Sequence, residues 1–254
     1  MTKKVTLRAI GMTDVGRVRS TNQDSYLTDE KERLFIVADG MGGHAGGEIA
    51  SQLAIKNVAD FLEEHKKDFC DDPKRAHPNP KLQALLADAI NYASAKIYDR
   101  ALEEPSLKGM GTTVTLMKVI DNYAYVAHVG DSRLYLVRAG FNYQMTLDHS
   151  LVSEQVRAGL ISEEEAHLHH LRNVITRSVG YQEEEYVDTY VFELEDQDTI
   201  IICSDGLHGK LEDAEIANYI STAPNSCVKD LIDEANARGG DDNTSVIAIF
   251  IQVS

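Results

Sequence analysis

Aspartate stands beside glycine in three separated runs of this 254-residue chain, Asp39-Gly40-Met41-Gly42-Gly43-His44, Ser204-Asp205-Gly206 and Gly239-Gly240-Asp241-Asp242-Asn243. Each run follows a stretch with the pattern of a strand or helix. Carboxylate oxygens gathered from distant parts of a chain, with small residues leaving room for water, are the donors that hard divalent cations such as Mg²⁺ or Mn²⁺ require. A single Asp-Gly dipeptide is better read as a turn or cap; the combination is what points to a cation centre. His44 closes the first run, and an imidazole beside such a centre can donate a proton near neutral pH, which makes it the candidate general acid. The other histidines lie outside such motifs. His167, His169 and His170 form a His-x-His-His cluster without the helical i, i+4 pair and glutamate base of a zinc site, and read as surface residues.

The elements that must position these residues are legible in part. Leu34 to Ala38 is a continuous apolar run bounded by charge and glycine, as in a strand buried on both faces, with Asp39 at its end. From Glu48 the spacing becomes helical, with Ile49, Leu53, Ala54, Val58, Phe61 and Leu62 on one stripe and Lys66-Lys67 suited to the dipole of the closing turn. A second helix is expected from Asn79-Pro80, a capping residue followed by proline at the first helical position, with the stripe Leu82, Leu85, Leu86, Ala89, Ile90, Ala93 and Ile97. Strands are predicted over Thr112 to Val119, Tyr123 to Val129 and Arg133 to Val137, with Asp121-Asn122 as a turn. Their short connections imply antiparallel pairing of neighbours. Asp148 to Gly180 reads as polar and helical in pieces, with Ser162-Glu163-Glu164-Glu165 resembling a helix start. Further strands are expected at Tyr186 to Leu194, Thr199 to Cys203 and Ser245 to Gln252, and helices near Asp213 to Ile220 and Cys227 to Ala237. Paired helices beside meandering strands, without regular βαβ alternation, place the chain in the α+β class.

Composition excludes several classes. The formal charge of -16 and the dispersed Lys and Arg argue against nucleic acid, and the apolar runs are too short to span a bilayer. Charge of that sign repels anionic ligands at long range, a repulsion that bound cations reverse locally and that salt screens beyond about 8 Å. The amino-terminal segment lacks a secretory pattern, so a cytoplasmic location is expected. Cys70, Cys203 and Cys227 include no Cys-x-x-Cys pair. Cys203, at a strand end, has no arginine following at the distance a cysteine-dependent phosphatase needs.

Beyond the three runs, the chain carries Gly16-Arg17-Val18-Arg19-Ser20-Thr21-Asn22-Gln23-Asp24-Ser25, Gly111-Thr112-Thr113, Gly130-Asp131-Ser132-Arg133, Asp148-His149-Ser150, Arg172-Asn173 with Thr176-Arg177, and Asp242-Asn243-x-Ser245. In order and content these motifs resemble the PPM (PP2C-type) protein serine/threonine phosphatases, in their compact bacterial form, over nearly the whole chain. The resemblance implies a four-layer α-β-β-α sandwich of two antiparallel sheets flanked by helices, one phosphatase domain over residues 1–254, and a flap at about 148–180.

The resemblance also implies roles. Asp39 would bridge two Mn²⁺ or Mg²⁺ ions, the Gly40 carbonyl would bind one, and Asp205 and Asp242 the other. Arg19, five residues before Asp24, matches the arginine that grips substrate phosphate, with Arg17 as its nearby decoy. Asp131 has two open readings, a ligand of a third, weaker metal site and a type I′ hairpin turn; Ser162 would touch that third ion weakly. Gln23 departs from the glutamate many members carry, which lowers the expected affinity of the second metal.

The expected activity is metal-dependent hydrolysis of phosphoserine and phosphothreonine in proteins, opposing a Ser/Thr kinase in bacterial signalling, by a monomer without nucleic-acid or membrane partners. Two alternatives keep the fold: a phosphatase of a small phosphorylated metabolite, and a catalytically weak interaction module for which Gln23 is the support. A rival of another class is dinucleotide binding, since Gly40-x-Gly42-x-x-Ala45 follows a strand and precedes a helix. Against it, Asp39 would face the pyrophosphate with like charge, and the polar stretch Asp71 to Pro80 stands where a parallel strand should come.

Overall fold

The computed structural model describes residues 4–42, 46–70 and 75–254. In chain order the elements are β1 (Val5–Asp14), β2 (Asp24–Asp29), β3 (Leu34–Met41), α1 (Gly46–Glu64), α2 (Pro80–Glu103), β4 (Gly111–Thr112), β5 (Val114–Ile120), β6 (Tyr123–Val129), β7 (Arg133–Arg138), β8 (Phe141–Gln144), α3 (Leu151–Arg157), α4 (Glu163–Leu168), β9 (Asp188–Glu193), β10 (Thr199–Cys203), α5 (Asp205–His208), α6 (Asp213–Thr222), α7 (Cys227–Ala237) and β11 (Thr244–Val253). They build two antiparallel sheets, of order β1-β11-β10-β7-β8 and β2-β3-β5-β6-β9, with β4 paired to β3.

Side-chain alternation makes these sheets a sandwich. Phe35, Val37, Met117 and Val126 from one sheet meet Leu134, Ile200, Ile202, Ile247 and Ile249 from the other. The next residues along the same strands face the other way. Ile36, Leu116 and Tyr125 pack on Ala50, Ala54 and Val58 of α1 and on Leu86, Ile90 and Ile97 of α2. Ile201, Cys203, Val246 and Ala248 pack on Ile216 and Ile220 of α6 and on Leu231, Ile232 and Ala235 of α7. Each of the Val, Leu, Ile, Phe and Met side chains among these, fully buried, contributes about 1.5–3 kcal/mol, so strands covered on both faces anchor the four α-β-β-α layers. The second sheet and its helices are tied by α2, whose first turn is set by the Asn79 side chain accepting from the Lys81 N–H ahead of Pro80.

Several local expectations are corrected. Strand β3 runs through Asp39 to Met41, so Asp39 is a strand residue. Helix α1 ends at Glu64, and Lys66-Lys67 lie in a separate 3₁₀ turn; Lys66 pairs with Glu32 and Glu63 instead of serving the helix end. The strand expected from Thr112 to Val119 breaks at Thr113, whose N–H turns to the Asp39 carbonyl at 2.8 Å. Consecutive β6 and β7 do not pair: β6 lies between β5 and β9, and β7 between β10 and β8. Their connection, Gly130 to Ser132, crosses from one sheet to the other. Dinucleotide binding is overturned as well, because among the described residues every strand pairing is antiparallel and β3 has no parallel neighbour.

Candidate metal centre

The antiparallel registers bring distant acids to one edge of the sandwich. In the second sheet Asp24, opening β2, is the register partner of Asp39 near the end of β3. In the first sheet the end of β10 lies beside the start of β11, which puts Asp205 and Asp242 at the same edge. The inter-sheet crossover adds Asp131. No β-hairpin forms there, which excludes the turn reading of Asp131.

The main chain at Asp39 is held on every side. Its N–H donates to Thr113 Oγ1 at 2.9 Å, and its carbonyl accepts from Thr112 Oγ1 at 2.9 Å. The Gly40 N–H donates to the Gln23 carbonyl at 3.1 Å. A Cβ at Gly40 would lie 2.0 Å from the Gly47 carbonyl oxygen and 2.6 Å from that of Gln23, so only glycine fits where backbone must approach this closely.

The carboxyls sit in surroundings that resist their charge. Burial lifts Asp39 well above the usual carboxylate range, and its neighbours Asp24, Asp205, Asp131 and Asp242 add repulsion. Burial likewise raises Asp24, Asp131 and Asp205, each with repulsion from other acids of the cluster. Asp24 Oδ2 accepts from Ser204 Oγ at 2.7 Å, whereas Asp24 Oδ1 and Asp205 Oδ1 are buried without a hydrogen-bond partner among the described residues. Asp242 is engaged: its Oδ1 accepts from the Asn243 N–H at 2.8 Å and its Oδ2 from Arg19 at 2.7 Å. His208, on α5 three residues after Asp205, donates from Nε2 to the Asp131 carbonyl at 3.0 Å; burial pushes its imidazole down to about 3, so the ring is neutral.

Such a cluster calls for compensating cations. Orphaned carboxylate oxygens, mutual repulsion and an oxygen-only donor set match Mg²⁺ or Mn²⁺. Among the described residues no three His, Cys, Asp or Glu side chains are gathered into a finished cage.

The remaining candidates separate cleanly. Arg19 lies at the rim, half exposed. His44 lies outside the described residues. Asp24 belongs to the acid cluster although its type and spacing marked it only as part of a motif; its register with Asp39 is what places it. Ser162 Oγ accepts from the Glu165 N–H in a capping box, so its hydroxyl is committed to starting α4. Cys203 is buried, and its thiol is pushed far up by burial, which leaves it inert.

Residues 16–232 match the family model described as Protein phosphatase 2C. The chain is 34% identical over 242 residues to the serine/threonine phosphatase stp of Listeria innocua, covering 93% of each chain. Among solved structures, the Mycobacterium tuberculosis serine/threonine phosphatase PstP/Ppp superposes with a TM-score of 0.85 at 34% identity, covering 97% of this chain and 99% of that one. The catalytic domain of PstP in complex with two manganese ions matches at TM-score 0.84 and 33% identity, covering 98% and 100%.

Proposed function

The chain belongs to the protein phosphatase 2C family, and from that premise we propose that it removes phosphate from phosphoserine and phosphothreonine in proteins at the acidic edge of its sandwich. The observation that carries this reading is the convergence of Asp24, Asp39, Asp131, Asp205 and Asp242 from both sheets, with Arg19 at their rim. Divalent cations bound there supply an activated water and offset the charge of the phosphoryl oxygens.

The chain's own residues do the rest. Asp39 would hold both cations, the Gly40 carbonyl one of them, and Asp205 and Asp242 the other. Asp131 would hold a weaker third cation, and its main-chain carbonyl is fixed by His208 Nε2 at 3.0 Å. Arg19 offers a planar fork to two phosphate oxygens, which orients phosphorus for attack. His44 gives its proton to the departing serine or threonine oxygen, which leaves poorly as an alkoxide. Residues 1–254 act as one domain, and residues 148–180 form a flap beside the site, tied at its base by the Ser150–Ile175 bridge and by Arg177 on Asp188 at 3.0 Å. Among the described residues no helix is long and apolar enough to cross a membrane. The setting we infer is the cytoplasm, where the enzyme works as a monomer against a Ser/Thr kinase.

The test is phosphate release from a phosphothreonine peptide with Mn²⁺, with Mg²⁺ and with chelator, beside Asp242→Asn. Release that needs metal and disappears in the variant supports the reading. A folded protein inactive in every metal would leave an interaction module.

A further inference from the structure

The segment carrying Arg19 has no regular structure between β1 and β2, yet its two ends are tied to a single side chain. Asn243 is only 4% exposed. Its Nδ2 donates to the Val15 carbonyl at 2.9 Å and to the Thr21 carbonyl at 3.0 Å, and its Oδ1 accepts from the Gln23 N–H at 2.8 Å. Two carbonyls need a donor and one N–H needs an acceptor, which fixes the amide orientation. The span from Val15 to Gln23 is bracketed on both sides of Arg19.

The main chain reinforces the bracket from the same partner loop. Arg17 N–H donates to the Gly240 carbonyl at 2.7 Å and Val18 N–H to the same oxygen at 3.3 Å. Gly16, at φ +84°, lies so close that a Cβ would sit 2.4 Å from the Asp242 carbonyl oxygen. The loop of Arg19 and the loop of Asp242 are one unit, with Asn243 at the joint.

We propose that Asn243 is the positioning residue of the phosphate-binding arginine: it sets where the Arg19 guanidinium stands relative to the cations and so governs substrate affinity. The proposal rests on the reading of Arg19 as the phosphate grip. The Asn243 amide spends its contacts on Val15, Thr21 and Gln23. Its backbone N–H contact with Asp242 survives any side-chain change, so its amide can be varied while that ligand keeps its support. Displacing a charged group by about 1 Å costs up to about 100-fold in an oriented reaction.

The experiment compares wild type, Asn243→Ala, Asn243→Ser, Arg19→Ala and Arg19→Ala/Asn243→Ala on a phosphothreonine peptide at saturating Mn²⁺, with Mn²⁺ affinity measured by calorimetry. Asn243→Ala should raise KM about tenfold and leave kcat within about threefold, the split of a lost binding contact. In the Arg19→Ala background the same change should add less than about twofold, since the two residues act as one. Mn²⁺ affinity should hold. An equal effect in both backgrounds, or a matching loss of Mn²⁺ affinity, overturns the proposal. Should neither Asn243→Ala nor Asn243→Ser melt cooperatively, the side chain belongs to folding and the proposal falls. Arg19→Ala alone tests the underlying reading: an unchanged KM there removes the phosphate grip, whatever Asn243 does.

Discussion

The guanidinium of Arg19 donates to Asp242 Oδ2 at 2.7 Å, which joins the residue we propose as the phosphate grip to one we propose as a cation ligand. The arginine is half exposed, and a pair of this kind contributes about 0–1 kcal/mol. On the proposed reading a divalent cation at Asp242 would displace this weak pair and leave Arg19 free to face substrate. Asp242→Asn should cut kcat/KM by at least about 100-fold through lost metal, whereas Arg19→Ala should raise KM about tenfold without weakening Mn²⁺ binding. Calorimetric Mn²⁺ titration of both variants, beside peptide kinetics, checks the split. Weaker Mn²⁺ binding in Arg19→Ala would contradict the exchange.

Protonation should oppose metal binding at an unusually high pH. Asp24, Asp39, Asp131 and Asp205 are all raised by burial first and repulsion second, and cations take the ionised forms. Ordinary carboxylates are ionised well above about pH 4. Here Mn²⁺ affinity should keep rising with pH above about 6, with protons released on binding. The sign for stability is opposite in the metal-free protein. Groups raised in the fold favour it below their unfolded values, and that favour is lost as pH rises through the raised values. Metal-free melting temperatures, read against the Mn²⁺-saturated protein from pH 5 to 8, should diverge as pH rises.

Metal removal should also cost stability outright. At a cation concentration about 100 times Kd, binding adds about 2.7 kcal/mol, and in a chain of this length that moves Tm by about 5–10 °C. Calorimetric melting with Mn²⁺ and with chelator measures it. Coincident melts would mean that the acids bind no cation in the folded protein.

Gly40→Ala should destabilise the fold by on the order of 2–4 kcal/mol and abolish turnover, because a methyl there meets the Gly47 and Gln23 carbonyls. Circular dichroism melts read the loss. A neutral result would mean that the Gly40 backbone can withdraw from its neighbours.

How far the chain could be read before folding follows from where each signal lay. The helices of Pro80–Glu103 and Cys227–Ala237 and the strands Tyr123–Val129 and Thr199–Cys203 announced themselves by period and caps, all local properties. The α+β class followed from them, but the sandwich came only through resemblance, because sheet partners are set by contacts between distant segments. Asp131 shows the limit most clearly. As a dipeptide with Gly130 it suited a hairpin equally well, and only the passage of the chain from one sheet to the other excludes that turn. Asp24 needed its register with Asp39, and Asn243 needed the fold around Val15, Thr21 and Gln23. Strand β1 carried a usable alternation, with Val5, Leu7 and Ala9 facing the inter-sheet core, while β2 hid behind acidic residues at both ends.

The acids are divided between two sheets, Asp24 and Asp39 on β2 and β3 of one, Asp205 and Asp242 beside β10 and β11 of the other. Neither half of the sandwich holds all four. On the proposed reading, a chain with only one sheet formed would have only part of the cation ligands, so turnover would require both sheets in place.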